Sequence, residues 1–383
     1  MDKIKIMTVF GTRPEAIKMA PLVRELKMRH PIDCTVCVTA QHREMLDQVL
    51  EKFDIMPDYD LNIMKARQTL TEITTRAAEG LYGIFEEVSP DMVLVHGDTT
   101  TTFAASLAAF YLKIRVGHVE AGLRTYDKYS PFPEEMNRRL TGAIADLHFA
   151  PTASNKENLL KENVRQENIY VTGNTVIDAL STTVSPDYSF DEPFLNDLDF
   201  AGKRIILVTA HRRENLGKPM ENIFTALRRL VDDLPDVSLV YPVHMNPVVR
   251  ETAGRILGGH ERIHLIEPLN VLDMHNLMAR SALVMTDSGG LQEEAPSLGK
   301  PVLVLRNETE RPEAIKAGTV KLLGTDTETV YKEARLVLDD AEEYQRMAKA
   351  VNPYGDGKAS KRICDALLYY FRLSDKRPEE FSV

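Results

Sequence analysis

The sequence predicts an α/β protein of two domains, each a parallel β-sheet with helices packed on it. Three observations lead there. At 383 residues the chain is too long for one typical core, so two domains of roughly 150–200 residues are expected. Apolar β-branched runs alternate with amphipathic stretches from end to end, the pattern of strand–helix–strand crossovers. Between the two halves lies "STTVSPDYSFDEPFLNDLDFAGK", polar and proline-containing, which places a boundary near 170–200. The division adopted is 1–170, joined by a C-terminal helix within 358–383, and 171–357. Each part is expected to be Rossmann-like, with the two sheets facing a central cleft.

Strands are expected over 3–9, 33–39, 91–96, 114–119 and 147–150, then over 203–209, 237–243, 262–266, 282–286 and 301–305. Helices fill the intervals: 14–28, 42–52, 71–88, 100–112, 134–145, 153–161, 219–233, 247–257, 271–279, 290–298 and 340–350. The first begins at Pro14, where a missing N–H costs nothing. Thr12 and Glu15 before and within it have capping-box spacing. The helix at 134 follows the rigid turn "YSPFP", and the one at 290 follows Ser-Gly-Gly. "ICDALLYYF" closes the chain as a final helix.

Composition narrows the function. A net charge of −10 disfavours nucleic acid as partner, because phosphate-backbone binding needs a broad basic surface. No apolar run approaches the ~18 residues of a membrane helix. Three cysteines and an N-terminus that enters a strand directly predict a cytoplasmic protein. Cys34 and Cys37 fall in the strand run "DCTVCVTA", where residues three apart face opposite sides, so they read as core. No His/Cys/Asp cluster has metal-ligand spacing, and neither nucleotide glycine signature is present, so no metal and no cofactor are expected.

In open parallel sheets ligands bind beyond the carboxyl ends of the strands, and those ends are rich in functional side chains. They are Gly11-Thr12-Arg13, Gln41-His42-Arg43, Gly97-Asp98-Thr99, Glu120-Ala121-Gly122, Ala210-His211-Arg212-Arg213, His244, Glu267-Pro268, Asp287-Ser288-Gly289-Gly290 and Arg306. Arg13 and Lys18, with free N–H groups at a helix start, suit an anion, although a plain helix cap explains the same residues. Two glycines at 289 and 290 let a diphosphate approach backbone, and Glu293 or Glu294 could accept from ribose hydroxyls. Asp98, Glu120 and Glu134 are carboxylates at loop positions, suited to acid or base work. His211 is suited to a phosphate contact or a proton shuttle. His244 divides evenly between structural and ligand roles, and Arg311 precedes another proline-started helix.

Together "FGTRPEAIKMAPL", "VHGDTTTT", "GHVEAGLRT", "YSPFPEEMNRRL", "TAHRREN", "VYPVHMNP", "TDSGGLQEEAPSLGKPVLVLR", "ERPEA" and "NPYGDGKAS" resemble the bacterial non-hydrolysing UDP-N-acetylglucosamine 2-epimerases, over about residues 3–365. The resemblance implies a glycosyltransferase-B-like fold and interconversion of UDP-N-acetylglucosamine with UDP-N-acetylmannosamine for envelope polysaccharides. It implies elimination of UDP to 2-acetamidoglucal, then re-addition, in a homodimer. Carried over by resemblance, Asp98, Glu120, Glu134 and His211 form the catalytic set. Arg13, Lys18, Ser288, Gly289, Gly290, Glu294 and Arg311 would hold UDP. Gln41, Arg67, Arg212 and His244 match an activating second UDP-N-acetylglucosamine. Tyr126 stands where a glycine is usual, and Asn307-Glu308 where Asp-Thr is usual. A hydrolysing 2-epimerase, a glycosyltransferase and a sugar-nucleotide-binding regulator are the competing readings.

Overall fold

The computed structural model describes residues 3–41, 43–65, 67–309 and 311–383; His42 and Glu310, in stretches quoted above, lie outside the described residues. The chain forms two compact units. One runs to Ala179 and takes up the chain again over Tyr354–Ser382; the other is Leu180–Pro353.

The first unit holds a seven-stranded sheet: β1 (Ile4–Phe10), β2 (Ile32–Val38), β3 (Tyr59–Asp60), β4 (Met92–His96), β5 (Arg115–Val119), β6 (Leu147–Ala150) and β7 (Ile169–Val171), in the order β3-β2-β1-β4-β5-β6-β7. The second holds a six-stranded one: β8 (Arg204–Thr209), β9 (Val237–Pro242), β10 (Ile263–Ile266), β11 (Leu283–Thr286), β12 (Val302–Val304) and β13 (Val320–Leu322), in the order β10-β9-β8-β11-β12-β13. All described pairings are parallel. Both sheets are therefore doubly wound, as in Rossmann domains. The strand order reverses between β1 and β4 in one and between β8 and β11 in the other, which is where such sheets bind ligands.

The strands are apolar on both faces because helices cover both. Val9, Val93 and Val95 pack with Ala77, Leu81, Phe85 and Ala105 from the helices Leu70–Val88 and Thr100–Tyr111. In the second unit Ile206, Val208 and Tyr241 pack with Phe224, Leu227 and Val231 from Lys218–Asp233. That core also takes Val330, Ala334 and Val337 from Thr327–Asp339, a helix absent from the expected set. The three unexpected strands, β3, β7 and β13, have two or three residues each and sit at or next to a sheet edge, too short to display an alternation. Cys37 is buried in the core, and burial pushes both the Cys34 and Cys37 thiols up to about 12.

Candidate active site

In the first unit the residues around the β1/β4 reversal are tied to one another by carboxylates. Gly11 ends β1 against Thr39: a Cβ at Gly11 would lie 2.0 Å from Thr39 Oγ1, so close approach is what demands glycine here. The amides of Gly11 and Thr12 then donate to Glu15, at 3.0 and 2.8 Å. The Thr99 and Thr102 hydroxyls donate to the other Glu15 oxygen, at 2.7 and 3.2 Å. Glu15 is buried, and desolvation raises its pKa in spite of those four donors. The expected free N–H groups of Gly11 and Thr12 are thus already spent, because the capping box closes on them. Arg13 remains at the helix start, partly buried, and among the described residues it enters no ion pair. Burial lowers its pKa.

Glu120 follows β5 with φ of 61°, a left-handed conformation that costs a non-glycine residue on the order of 1–3 kcal/mol. Its carboxylate pairs with Lys18 and accepts from Asn174 Nδ2 at 3.0 Å, with His96 Nε2 3.7 Å away. Burial pushes the carboxyl up, but the Lys18 ammonium, the His96 ring once protonated, and the hydrogen bonds outweigh it and hold the pKa to about 2. His96 supplies no charge at neutral pH, because burial drops its own pKa to about 4. Lys18 is therefore the cation that keeps Glu120 ionised. A Cβ at Gly97 would lie 3.6 Å from Glu120 Oε1, which puts Glu120 beside the Gly97-Asp98 turn.

Asp98 pairs with Arg138, and its carbonyl accepts from Asn137 Nδ2 at 2.9 Å. Both partners come from Glu134–Ile144, so Asp98 is bound to the helix that Glu134 begins. Glu134 occupies the positive end of that helix dipole. Its neighbour Glu135 is buried, accepting from the amides of Thr125 and Tyr126 at 3.0 and 3.1 Å and from Arg138 Nη1 at 3.3 Å, so that Arg138 lies between the carboxylates of Glu135 and Asp98. Lys18, Asp98, Glu120 and the start of this helix thus form one acidic, ion-paired edge. Gln41 accepts from the Thr101 hydroxyl at 3.1 Å, and Gln68, next to the exposed Arg67, donates to its carbonyl at 3.4 Å.

The second unit places different chemistry at its own reversal. Thr209 and Thr286 are paired across β8 and β11, so His211 and Ser288 emerge side by side. Asp287, fully buried, accepts from the amides of His211 and Arg212, each at 2.8 Å, and from Asn215 Nδ2 at 3.0 Å. The His211 ring stacks on His244, with centroids 5.1 Å apart and planes within 12°. Burial lowers the His211 pKa against the raising effect of Asp287. Ser288 stands at the N-cap position of Gly289–Ser297, without a capping hydrogen bond from its side chain. Arg311 lies over Gly289, where a Cβ would come within 3.1 Å of its guanidinium carbon, and Glu293 accepts from Arg311 Nε at 2.9 Å. Of the two glutamates considered for ribose, Glu293 is buried and committed to Arg311. Glu294 is 3.3 Å from His275 Nε2 and adjoins Gly290.

Comparison with known proteins decides the family. The family model described as UDP-N-acetylglucosamine 2-epimerase matches residues 24–368. A UDP-N-acetylglucosamine 2-epimerase of Bacillus subtilis is 63% identical over 382 residues, covering all of both chains. The chain belongs to the UDP-N-acetylglucosamine 2-epimerase family. The Escherichia coli K12 member is 56% identical over 373 residues, 95% of this chain and 98% of its own. The crystal structure of a Neisseria meningitidis member bound to UDP-GlcNAc superimposes with a TM-score of 0.85 at 53% identity, over 95% of this chain and all of that one. The fold is the glycosyltransferase-B-like type of this epimerase family.

Three residues that the geometry ties to the epimerase motifs, Arg138, Asn174 and His96, carry no role in the sequence reading. Arg138 was inside a quoted motif but had no role until it met Asp98. Asn174 follows β7, the strand too short to be expected, so nothing marked it as a strand-end residue. His96 reads as one more member of "MVLVH"; Asp287 is among the strand-end residues, and only the structure shows that it holds the amides of His211 and Arg212. Strand pairing and helix packing together reveal what each touches.

Proposed function

We propose that this chain interconverts UDP-N-acetylglucosamine and UDP-N-acetylmannosamine without hydrolysis. A base takes the proton from carbon 2, the C1–O bond to UDP breaks, and its electron pair leaves with UDP while carbon 1 and carbon 2 become doubly bonded. UDP then re-adds to the 2-acetamidoglucal as a proton returns to the opposite face. The observation that carries this reading is the linked set Lys18–Glu120 beside Asp98–Arg138 at the β1/β4 reversal. Two carboxylates with different partners suit a reaction that handles a proton on each face of one carbon.

Asp98 and Glu134 are assigned to carbon 2. Glu120, held ionised by Lys18, supports them electrostatically. Arg13, Lys18, Ser288, Gly289, Gly290, Glu294 and Arg311 are assigned to UDP, with His211 at the diphosphate, where fixed cations and a helix start favour the developing charge. Gln41, Arg67, Arg212 and His244 are assigned to an activating second sugar nucleotide. The product serves envelope polysaccharide, in a cytoplasmic homodimer.

Incubation with UDP-N-acetylglucosamine in deuterium oxide tests the chemistry. The expected products are UDP-linked sugars alone, with deuterium at carbon 2, and trace 2-acetamidoglucal and UDP. Free N-acetylmannosamine would replace this reading with hydrolysis, and retention of the original hydrogen would remove solvent-exchanging acid–base catalysis.

A further inference from the structure

We infer that Asp287 is a positioning residue for His211, its carboxylate accepting the Nδ1 proton and so turning an unprotonated Nε2 toward the ligand. The two Asp287 oxygens are used unequally. Oδ2 takes three donors, the amides of His211 and Arg212 and the side chain of Asn215. Oδ1 is buried without a hydrogen-bond partner, and it lies 3.6 Å from His211 Nδ1. A buried carboxylate oxygen left without a donor is costly, and the imidazole is the donor within reach.

The ring has little other freedom. Its face lies on His244, and its own amide is already fixed to the same carboxylate. The charged and titratable groups facing it are Asp287, His244 and Arg212. Asp287 alone among them favours a proton on the ring, and it sits on the Nδ1 side. With that proton held there, Nε2 accepts in the neutral ring and donates once the ring is protonated. The carboxylate compensates the single positive charge that the second proton brings, so a departing phosphate oxygen can be met by Nε2–H. This last use rests on the reading of His211 as the diphosphate contact; the orientation itself does not.

The test is the ¹⁵N spectrum of the full chain labelled at its histidines, with His211→Gln to assign the signal. In the unchanged protein at pH 8 the Nδ1-protonated tautomer is expected; a dominant Nε2-protonated tautomer overturns the proposal without any need of a variant. In Asp287→Asn the amide oxygen can keep the His211 and Arg212 amides while its NH₂ faces Nδ1. The His211 tautomer is then expected to flip and its titration to move to lower pH. Turnover should fall roughly tenfold or more, with UDP affinity changed less. An unchanged tautomer in that variant overturns the proposal. A flip with turnover and UDP affinity intact upholds the positioning and instead removes His211 from the diphosphate.

Discussion

In the first unit the loop after the central strand is held by Glu15, three and four residues further along the same chain; in the second, the equivalent loop is held by Asp287, 76 residues from His211 and just beyond the end of the neighbouring strand. Both carboxylates do the same job, accepting two consecutive loop amides at a strand-order reversal. The consequences differ. Glu15 is a helix cap that forms locally, and it takes up both loop amides, leaving the side chains of Arg13, Lys18, Asp98 and Glu120 as the charged groups at that reversal. Asp287 forms its contacts only when β8 and β11 are paired, and its second oxygen is left over for His211. One unit is consequently a set of ion-paired carboxylates, and the other a stacked histidine pair beside a glycine-opened helix start.

Acid separates the two units most strongly. Burial lowers His96 and His148 to about 4 and His118 to about 3, all in the first unit. The unfolded chain binds their protons near pH 6.5, so the stability they confer is full above that pH and is lost as pH falls toward the folded values. At roughly 1.4 kcal/mol per tenfold, the three together withdraw on the order of 5–10 kcal/mol by pH 4, comparable to a whole domain's stability. Of the second unit's histidines, the two with lowered values, His211 and His264, are only partly buried. Hydrogen exchange read by mass spectrometry between pH 7 and pH 4 should show the first sheet opening first. Simultaneous opening, or the second sheet leading, would contradict this.

Catalytic substitutions sharpen the contrast next. Asp98→Asn should cut turnover by about 100-fold or more while leaving UDP affinity nearly unchanged. Near-normal turnover would take Asp98 out of the chemistry. In the second unit the opposite split is expected. Gly289→Ala places a methyl 3.1 Å from the Arg311 guanidinium carbon, which must give way. UDP affinity should weaken by about tenfold, roughly 1.4 kcal/mol, with turnover at saturation retained. A loss confined to turnover would place Arg311 with the reacting carbons instead.

The smallest effect concerns Tyr126, whose φ of 64° is a backbone conformation that favours glycine. Its amide is held by Glu135 and its hydroxyl donates to Asn158 at 2.8 Å. Tyr126→Gly relieves the backbone but gives up that hydrogen bond and adds freedom to the unfolded chain. Chemical denaturation should register a gain of no more than about 1 kcal/mol; a clear loss would mean that the tyrosine side chain fastens the loop.

Most of the fold was legible because its signal is local. Ten strands and the main helices appear within a residue or two of their expected places, since apolar runs and capping residues act over a few positions. The helix Thr327–Asp339 was equally legible, with Val330, Ala334 and Val337 at helical spacing, and was overlooked. The strand-end residues were also legible, because the carboxyl edge of a parallel sheet follows from the order of elements. The sequence by itself determined the two sheets, the residues at their tips and the family to which the motifs belong. Tertiary structure alone decided that Lys18 is committed to Glu120, Asp98 to Arg138, Glu293 to Arg311 and both loop amides at 211 and 212 to Asp287. Those partners are separated by 18 to 102 residues and meet through strand pairing and helix packing, and a carboxylate's charge state depends on the cation and burial it meets there.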